Sequence, residues 1–553
     1  MNKSIINKTG FVALLAFLFM GCKDLDLTPE NVYTDLTYWK TTDQASGMLN
    51  TAYSQLFSSD YFFYNEAMSD NAYSGRGDQA GSTSLASGAY DASLPRLKNE
   101  WNDCYRAIKT CNVFLDNVDR VPNMDESLRT RMKAEARFIR AFQYFRLMTW
   151  FGDVPLIKKD LTIVEAQTIS RSPREEVLFF VVTELNEIVN NLPVNTEYGP
   201  KDKGRITKGA AIALKARVML YEGNWQEVVN ACSLLMDNTS NGTYGLFNSY
   251  EGLFLPQNEN NNEVILDMQY VPLLRTWSNF FDLAPLSVGG RVNVMAPTQE
   301  LVDSYLTLNG KRIGEAGAGY DENDPYVNRD PRLTYTVVYH GYQWKEASGD
   351  PKTIYIKPGS DPNHNKPEMD PNERNPPDEY APGSSKTPTG YYIRKYYDPT
   401  HAANFTSGLN LILIRYADVL LMYAEAKNEL AKLDEATWNR TIRPIRVRAG
   451  FTDAAALNYN SALTQEQLRE VIRNERRTEL ALEGLRIFDI RRWRIAETVL
   501  NGWAHGAKFG PANEDNGYIR VNLRSFDRTK HYLWPVPREE RNLNPNLSQN
   551  PNW

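Results

Sequence analysis

The sequence predicts a mainly α-helical protein whose helical scaffold carries an inserted, loop-rich lobe with a few short strands. Three observations predict it. Between residues 101 and 236, and again between 412 and 484, apolar residues recur on a 3.6-residue period. These runs begin and end at residues that cap helices. Residues 240–410 lose the period while Gly, Asn and Pro rise, and residues 351–388 alone hold nine prolines, too many for a packed core.

Each element has its own signal. Segment 127–151 is apolar at Leu128, Met132, Ala136, Ile139 and Phe142, and a second set (Phe138, Phe145, Met148) widens the stripe, which predicts a helix buried on most sides. Gly152 stops it and Pro155 prevents resumption. The next helix is read from a Ser172 cap, Pro173 in the first turn and Glu175 as capping-box partner; Val177, Val181, Leu185, Ile188 and Leu192 form its stripe. A Thr207 cap opens a helix to Tyr221, Gly223 and Asn224 turn the chain, and Trp225 to Met236 returns. With Ala213, Tyr221, Trp225 and Ala231 at close-packed points, this pair resembles a tetratricopeptide-type hairpin, whose apolar face a neighbouring hairpin must cover. In the lobe, Val264–Met268, Thr334–Tyr339 and Tyr391–Tyr396 read as strands. Helices return at 412–432, at 435–448 before Gly450, and at 464–484, the last opened by Thr464 with Gln467 as capping-box partner. The tail, Tyr532 to Trp553, reads as extended.

At the N-terminus, Lys3 and Lys8 precede the apolar run Phe11–Met20, about half the ~20 residues that span a bilayer, so the segment reads as a signal peptide. Gly21 and Cys22 resemble a bacterial lipoprotein box, although Phe19 is bulkier than the usual residue three places before the cysteine. Cys22 is then the lipidation site, and several acyl chains anchor firmly where one tethers transiently. Lys23, Asp24, Leu25 and Asp26 resemble the acidic tag that sends some lipoproteins to the outer cell face.

The 553 residues carry a formal charge of −6 with no basic run, which speaks against nucleic acid. Cys104, Cys111 and Cys232 are an odd number; Cys104 and Cys111 on one helix stand about 10 Å apart, too far to bridge, so all three read as small buried side chains. The five His show no metal-ligand spacing, and HExxH, CxxC, GxSxG and the P-loop are absent from the sequence. No catalytic constellation, metal or cofactor is read, and the chain is expected not to be an enzyme.

The blocks Lys133-Ala-Glu-Ala-Arg-Phe-Ile-Arg-Ala-Phe-Gln-Tyr-Phe-Arg146, Phe151-Gly-Asp-Val-Pro-Leu156, Thr207-Lys-Gly-Ala-Ala211, Arg415 to Ala426, Ile472 to Leu480, Glu483 to Trp493, Tyr532 to Pro537 and Asn544 to Leu547 resemble the SusD/RagB family in residue type and order. The resemblance implies an outer-membrane lipoprotein facing outward, a scaffold of four tetratricopeptide-like helix pairs, and a SusC-like TonB-dependent β-barrel transporter as partner. It implies binding of glycan oligomers, or in some members peptides, without cutting them. The segments expected are a signal peptide at 1–21, an N-terminal helical region at 22–240, the lobe at 241–410, and a C-terminal helical region with its tail at 411–553.

The cluster Arg473, Glu475, Arg476, Arg477, Glu479, Glu483, Arg486, Asp489, Arg491 and Arg492 reads as a structural ion-pair network rather than an acid/base pair, because that many arginines keep the carboxylates ionised. Trp101 and Tyr105 read as core. Sugar rings stack on aromatic faces while polar side chains take the hydroxyls, so the candidate sites are loop aromatics beside polar residues: Tyr61–Asp78, Trp277–Asn293, Tyr320–Arg329 and Tyr339–Trp344. From these, Tyr73, Trp277 and Trp344 are the expected platforms, with Asn71, Arg76, Asp78 and Asn279 as polar partners. An oligopeptide cargo and a helical scaffold for docking proteins are the alternatives.

Overall fold

The computed structural model describes residues 38–75, 81–293, 295–345, 350–363, 377–383, 386–400 and 406–553. Cys22, Arg76 and Asp78 lie outside them.

Eight helices of twelve or more residues occur among the described residues: α1 (Thr42–Ser54), α2 (Pro95–Asn117), α3 (Glu126–Phe151), α4 (Arg174–Ile188), α5 (Lys208–Tyr221), α6 (Trp225–Met236), α7 (Tyr416–Glu429) and α8 (Gln465–Glu479). They pack as α1 on α2, α3 on α4, α5 on α6 and α7 on α8, and each pair touches the next, α2 on α3, α4 on α5, α6 on α7. This is the four-pair, tetratricopeptide-like arrangement, in which every hairpin covers its neighbour's apolar face.

Local chemistry explains the ends. Thr464 accepts from the Gln467 N–H while the Gln467 side chain returns to the Thr464 N–H at 2.9 Å, a complete capping box. Thr207 caps α5 at 3.0 Å through the Ala210 N–H, and Gly223, at φ +68°, makes the left-handed turn into α6. The start of α4 departs from the expected capping box. Ser172 lies in a β-bridge with Val154, and the Arg174 N–H donates to Asp153 Oδ1 at 2.9 Å, so a residue from the preceding loop supplies the cap.

Two further expectations change. The helix expected at 412–432 begins at Tyr416, because Leu411–Arg415 is a fully buried strand; a short apolar run fits a buried strand as well as a buried helix. The helix expected at 435–448 is two, Glu435–Arg440 and Ile442–Ala449, broken at Thr441 (φ −124°, ψ −76°).

Short antiparallel pairs build the lobe and tie it to the flanking segments: β1 (Ala72–Ser74) with β3 (Met295–Pro297), β2 (Val264–Met268) with β8 (Leu411–Arg415), β4 (Val337–Val338) with β7 (Tyr392–Ile393), and β5 (Tyr342–Trp344) with β6 (Lys352–Ile354). Nearer the C-terminus, β9 (Gly502–His505) pairs with β10 (Arg520–Arg524). The β2–β8 ribbon packs on α5 and feeds directly into α7, which joins lobe to scaffold. Residues 334–336 of the expected 334–339 strand belong instead to a helical turn, Arg332–Thr336. The tail is not wholly extended, because Arg538–Leu543 is helical. Trp534 stacks on Trp150 at 3.8 Å and 7°, and Asn550 donates to the carbonyls of Phe151 and Trp534 at 2.8 and 2.7 Å, so the tail is bound to the end of α3.

The charged cluster is buried. Arg415 reaches Glu263 at 2.8 Å, Glu479 at 2.6 Å and Glu483 at 2.8 Å. Arg332 pairs with Asp330 at 2.7 Å and Glu479 at 2.9 Å. Asp418 receives Arg217 at 2.6 Å and also pairs with Arg476, which reaches Asp489 at 2.8 Å. Burial, the largest single influence on Glu479, pushes its carboxyl up, but Arg448, Arg415 and Arg332 together outweigh it and hold the group below the usual carboxylate range. Asp418 is held down likewise, burial being outweighed by Arg476 and Arg217. Cys104, Cys111 and Cys232 are free and buried, and burial pushes the Cys104 and Cys111 thiols up to about 12.

Candidate functional site

The site is built upward from this network. Asp70 is buried against Arg486 (2.7 and 2.9 Å) and Arg477 (3.1 Å). Asn71 donates to Glu66 at 3.0 Å and accepts from Arg477 Nε at 2.8 Å. Burial pushes Glu66 up to about 7. Arg524 donates to the carbonyl of Ala72 at 2.8 Å and also to that of Ser69. The arginines thus fix the segment that becomes β1. Alternation along this strand buries Ala72 and Ser74 and leaves Tyr73 half-buried on the opposite face.

Tyr73 opens onto a cleft of about 550 Å³ whose walls include Asn293, Tyr380, Lys386, Thr387 and Arg520. Four separate segments therefore meet there. Gly75 is needed where it stands, since a Cβ would lie 2.3 Å from the Pro388 side chain. The Thr387 hydroxyl donates to the Tyr391 carbonyl at 2.5 Å and accepts from the Thr389, Gly390 and Tyr391 N–H groups, which knots that wall. Asn293 donates to the Leu283 carbonyl at 3.2 Å, and its Oδ1 has no partner among the described residues.

The fourth wall is the β9–β10 hairpin. Arg520 holds Asp515 at 2.7 and 3.0 Å and lies 5.5 Å over the Trp503 ring, which is 42% exposed. His505 sits between Glu300 (2.8 Å) and Asp515 (3.0 Å). The hydrogen bond to Glu300, then that to Asp515, raises His505 from its ordinary value against partial burial. Trp503 is the feature that sequence reading missed. Its signal was present, an aromatic directly after Asn501-Gly502, but the segment is too short to show strand alternation.

A second cleft of about 770 Å³ is walled by Asp60, Tyr61, Arg96, Asp103, Asn279 and Asp282. Asn279 donates to Asp60 Oδ1 at 2.7 Å, and the Tyr61 hydroxyl donates to Asp103 at 2.6 Å. A third, largely apolar groove of about 630 Å³ runs between Trp101, Tyr105 and Ile108 of α2, the strap at 155–169, and Leu543 and Leu547 of the tail.

The structure brings the expected residues together unevenly. Tyr73 borders the first cleft and Asn279 the second. Trp277 is 4% exposed, packs on Phe63 at 5.1 Å and donates its indole N–H to the Leu409 carbonyl at 2.7 Å. Trp344 is 1% exposed, edge-on to Tyr397 at 4.8 Å with Arg394 over its ring at 4.6 Å. Both rings are covered in this conformation and pack within the lobe, and Asn71 is wholly buried. Loop position had suggested exposure for these three, but strand pairing and the arginine network cover them. Trp101 is buried, as read.

Paired helices under a lobe of short strand ribbons and polar, ring-edged clefts define a helical-hairpin protein with an inserted irregular lobe. The chain belongs to the SusD family: the model described as the SusD family matches residues 263–553. A second model, described as starch-binding and associating with the outer membrane, matches residues 26–220. The chain is 26% identical to SusD-like protein P25 of Formosa agariphila, over 90% of this chain and 87% of that protein. It is also 26% identical to a SusD-like protein of Bacteroides ovatus, over 87% of this chain and 81% of the other. Among solved structures, it matches a SusD-like carbohydrate-binding protein of Bacteroides fragilis with a TM-score of 0.80 and 28% identity, covering 93% of this chain and all of that one.

Proposed function

We propose that the protein captures glycan oligomers at the outer face of the cell, without cutting them, and passes them to a TonB-dependent outer-membrane transporter, held at the membrane through acylated Cys22. The observation that carries this reading is the first cleft: two half-buried tyrosines, Tyr73 and Tyr380, share it with amide, hydroxyl and cationic groups from separate segments. A sugar needs that combination, a ring for its C–H face and hydrogen-bonding groups for its rim. The family and the carbohydrate-binding Bacteroides fragilis protein support it. The carboxylates of the arginine network are buried and held ionised, which suits a scaffold and not a general acid.

Calorimetry of the chain lacking residues 1–22 against a panel of polysaccharides and peptides tests the reading. Tyr73→Ala is expected to cost roughly 1–2 kcal/mol, a five- to thirtyfold loss of affinity, from the lost ring contact. Binding to peptides alone, or degradation of the bound polymer, would overturn the proposal.

A further inference from the structure

We infer that His505 is a positioning residue for the first cleft and a pH-sensitive one: as an imidazolium it ties the wall that carries Tyr73 to the hairpin wall that carries Arg520, and the tie loosens as the proton leaves. This rests on the glycan-binding reading above and gives the same site a regulation.

The tie is a chain of four side chains. Glu300 stands on the Tyr73 side. It lies on the short helix Gln299–Ser304, which follows β3, and β3 pairs with β1 so that Ala296 is opposite Tyr73. Thr298 caps that helix, donating its N–H to the Asn71 carbonyl at 3.0 Å and its hydroxyl to the Asp70 carbonyl at 2.7 Å. Asp515 and Arg520 stand on the hairpin side, where Arg520 grips Asp515 through two nitrogens and borders the cleft. His505 bridges the two, with Nδ1 2.8 Å from Glu300 and Nε2 3.0 Å from Asp515, and its backbone N–H also donates to Glu300 at 3.0 Å.

A neutral imidazole has one N–H and one lone pair, so between two carboxylates it satisfies one and turns its lone pair on the other. Only the imidazolium donates to both. The geometry therefore selects the protonated ring. What the tie holds is a strained turn: Asp515, Asn516 and Gly517 follow one another at φ +40°, +57° and +85°. Left-handed backbone at successive residues other than Gly persists where the surroundings impose it, and the contacts of Asp515 with His505 and Arg520 do so.

The neighbouring charges keep the sign. Asp303, one turn along from Glu300, and Glu514, 3.3 Å from Arg520, add negative charge. Arg477 of α8 and Arg524 of β10 are drawn to Glu300, and Lys508 pairs with Glu322. Tyr518 is edge-on to the ring at 6.4 Å, and burial pushes its hydroxyl up. Arg520 first and His505 second hold Asp515 below the usual carboxylate range, so the group that titrates is His505. It is raised in the folded protein. Its contribution is full below the unfolded value near pH 6.5 and is lost as pH rises through the folded value. The hairpin's other ties are Arg524 to the carbonyls of Ser69 and Ala72 and the Ala507 N–H to the Thr389 carbonyl at 2.7 Å. Neither titrates in this range, so the loosening is confined to the turn.

The test compares the chain lacking residues 1–22 with its His505→Gln variant at about pH 6 and about pH 9. NMR of the histidine ring carbons, with the His505 signal assigned by its absence from the variant, is expected to show a midpoint above the ordinary value of about 6.5. Hydrogen exchange, corrected for the intrinsic rate, is expected to show residues 510–520 of the parent losing protection about fivefold from the lower pH to the higher, with low protection at both in the variant. Calorimetry with laminari-octaose and malto-octaose, which carry no titrating group here, is expected to show affinity falling about threefold over the same range in the parent. Lys386, also on the cleft wall, is lowered from its ordinary value by burial; any step it causes persists in the variant, and the step that disappears belongs to His505. A His505 midpoint at or below the ordinary value, or a turn equally protected in both proteins, overturns the inference and leaves the glycan reading standing. A turn that loosens with no change in affinity overturns it too, because the cleft then does not depend on the tie. If neither octamer binds the parent, it is the glycan reading that fails, and the NMR and exchange results decide the tie on their own.

Discussion

Replacing Arg415 with methionine is expected to destabilise the protein by roughly 3–5 kcal/mol, the cost of breaking a buried ion pair from one side. The substitution leaves Glu263, Glu479 and Glu483 without the guanidinium that joins them, in a site with almost no exposure. Urea unfolding reads the loss as a lower midpoint at unchanged slope. A loss under about 1 kcal/mol would put the hub in the class of surface pairs and contradict its assignment. The pH dependence has a defined sign. Glu479 and Asp418 are depressed in the folded protein, so their contribution is present above the unfolded carboxylate values near pH 4 and is lost as pH falls through the folded values. Arg415→Met lifts one of the three cations off Glu479 and is expected to shallow that acid slope.

Trp534→Ala is the second large effect, at roughly 3–5 kcal/mol for emptying a buried aromatic site. The ring stacks on Trp150, and the Trp534 N–H donates to the Trp150 carbonyl at 2.7 Å. Because Asn550 and the Arg171 contacts to Ser548 and Asn550 hold the rest of the tail, the loss should be partly local. Brief trypsin treatment under native conditions is expected to cut at Arg538 or Arg541 in the variant before the scaffold is attacked. Equal resistance in variant and parent would show that the tail is held without the stack.

Much of the scaffold was legible because it is written in local chemistry. Thr464 with Gln467, the Thr207 cap, and Gly223 between α5 and α6 each act within a few residues. Where partners are distant, reading failed for a stated reason. Leu411–Arg415 is a strand because Val264–Met268 lies beside it, and no property of the run itself distinguishes that from helix. The start of α4 depends on Asp153, beyond the window of a capping box. The site divided along the same line. Tyr73 could be chosen as an aromatic beside polar residues, but Trp277 and Trp344 satisfy the same rule and pack inside the lobe, since composition does not reveal which face of a loop is covered. Trp503 reaches the surface on a strand of only four residues, and Arg520 reaches the first cleft from a part of the chain some 450 positions after Tyr73.

The seam between lobe and helices carries both the β2–β8 ribbon and the Arg415 contacts, so the two parts are riveted where a jaw would need its pivot. On the proposed function, cargo would then be received as on a tray, without a closing movement. Stopped-flow mixing is expected to show one concentration-dependent phase, with residence time set by dissociation alone. A second, concentration-independent phase would reveal a rearrangement that the rivets should forbid.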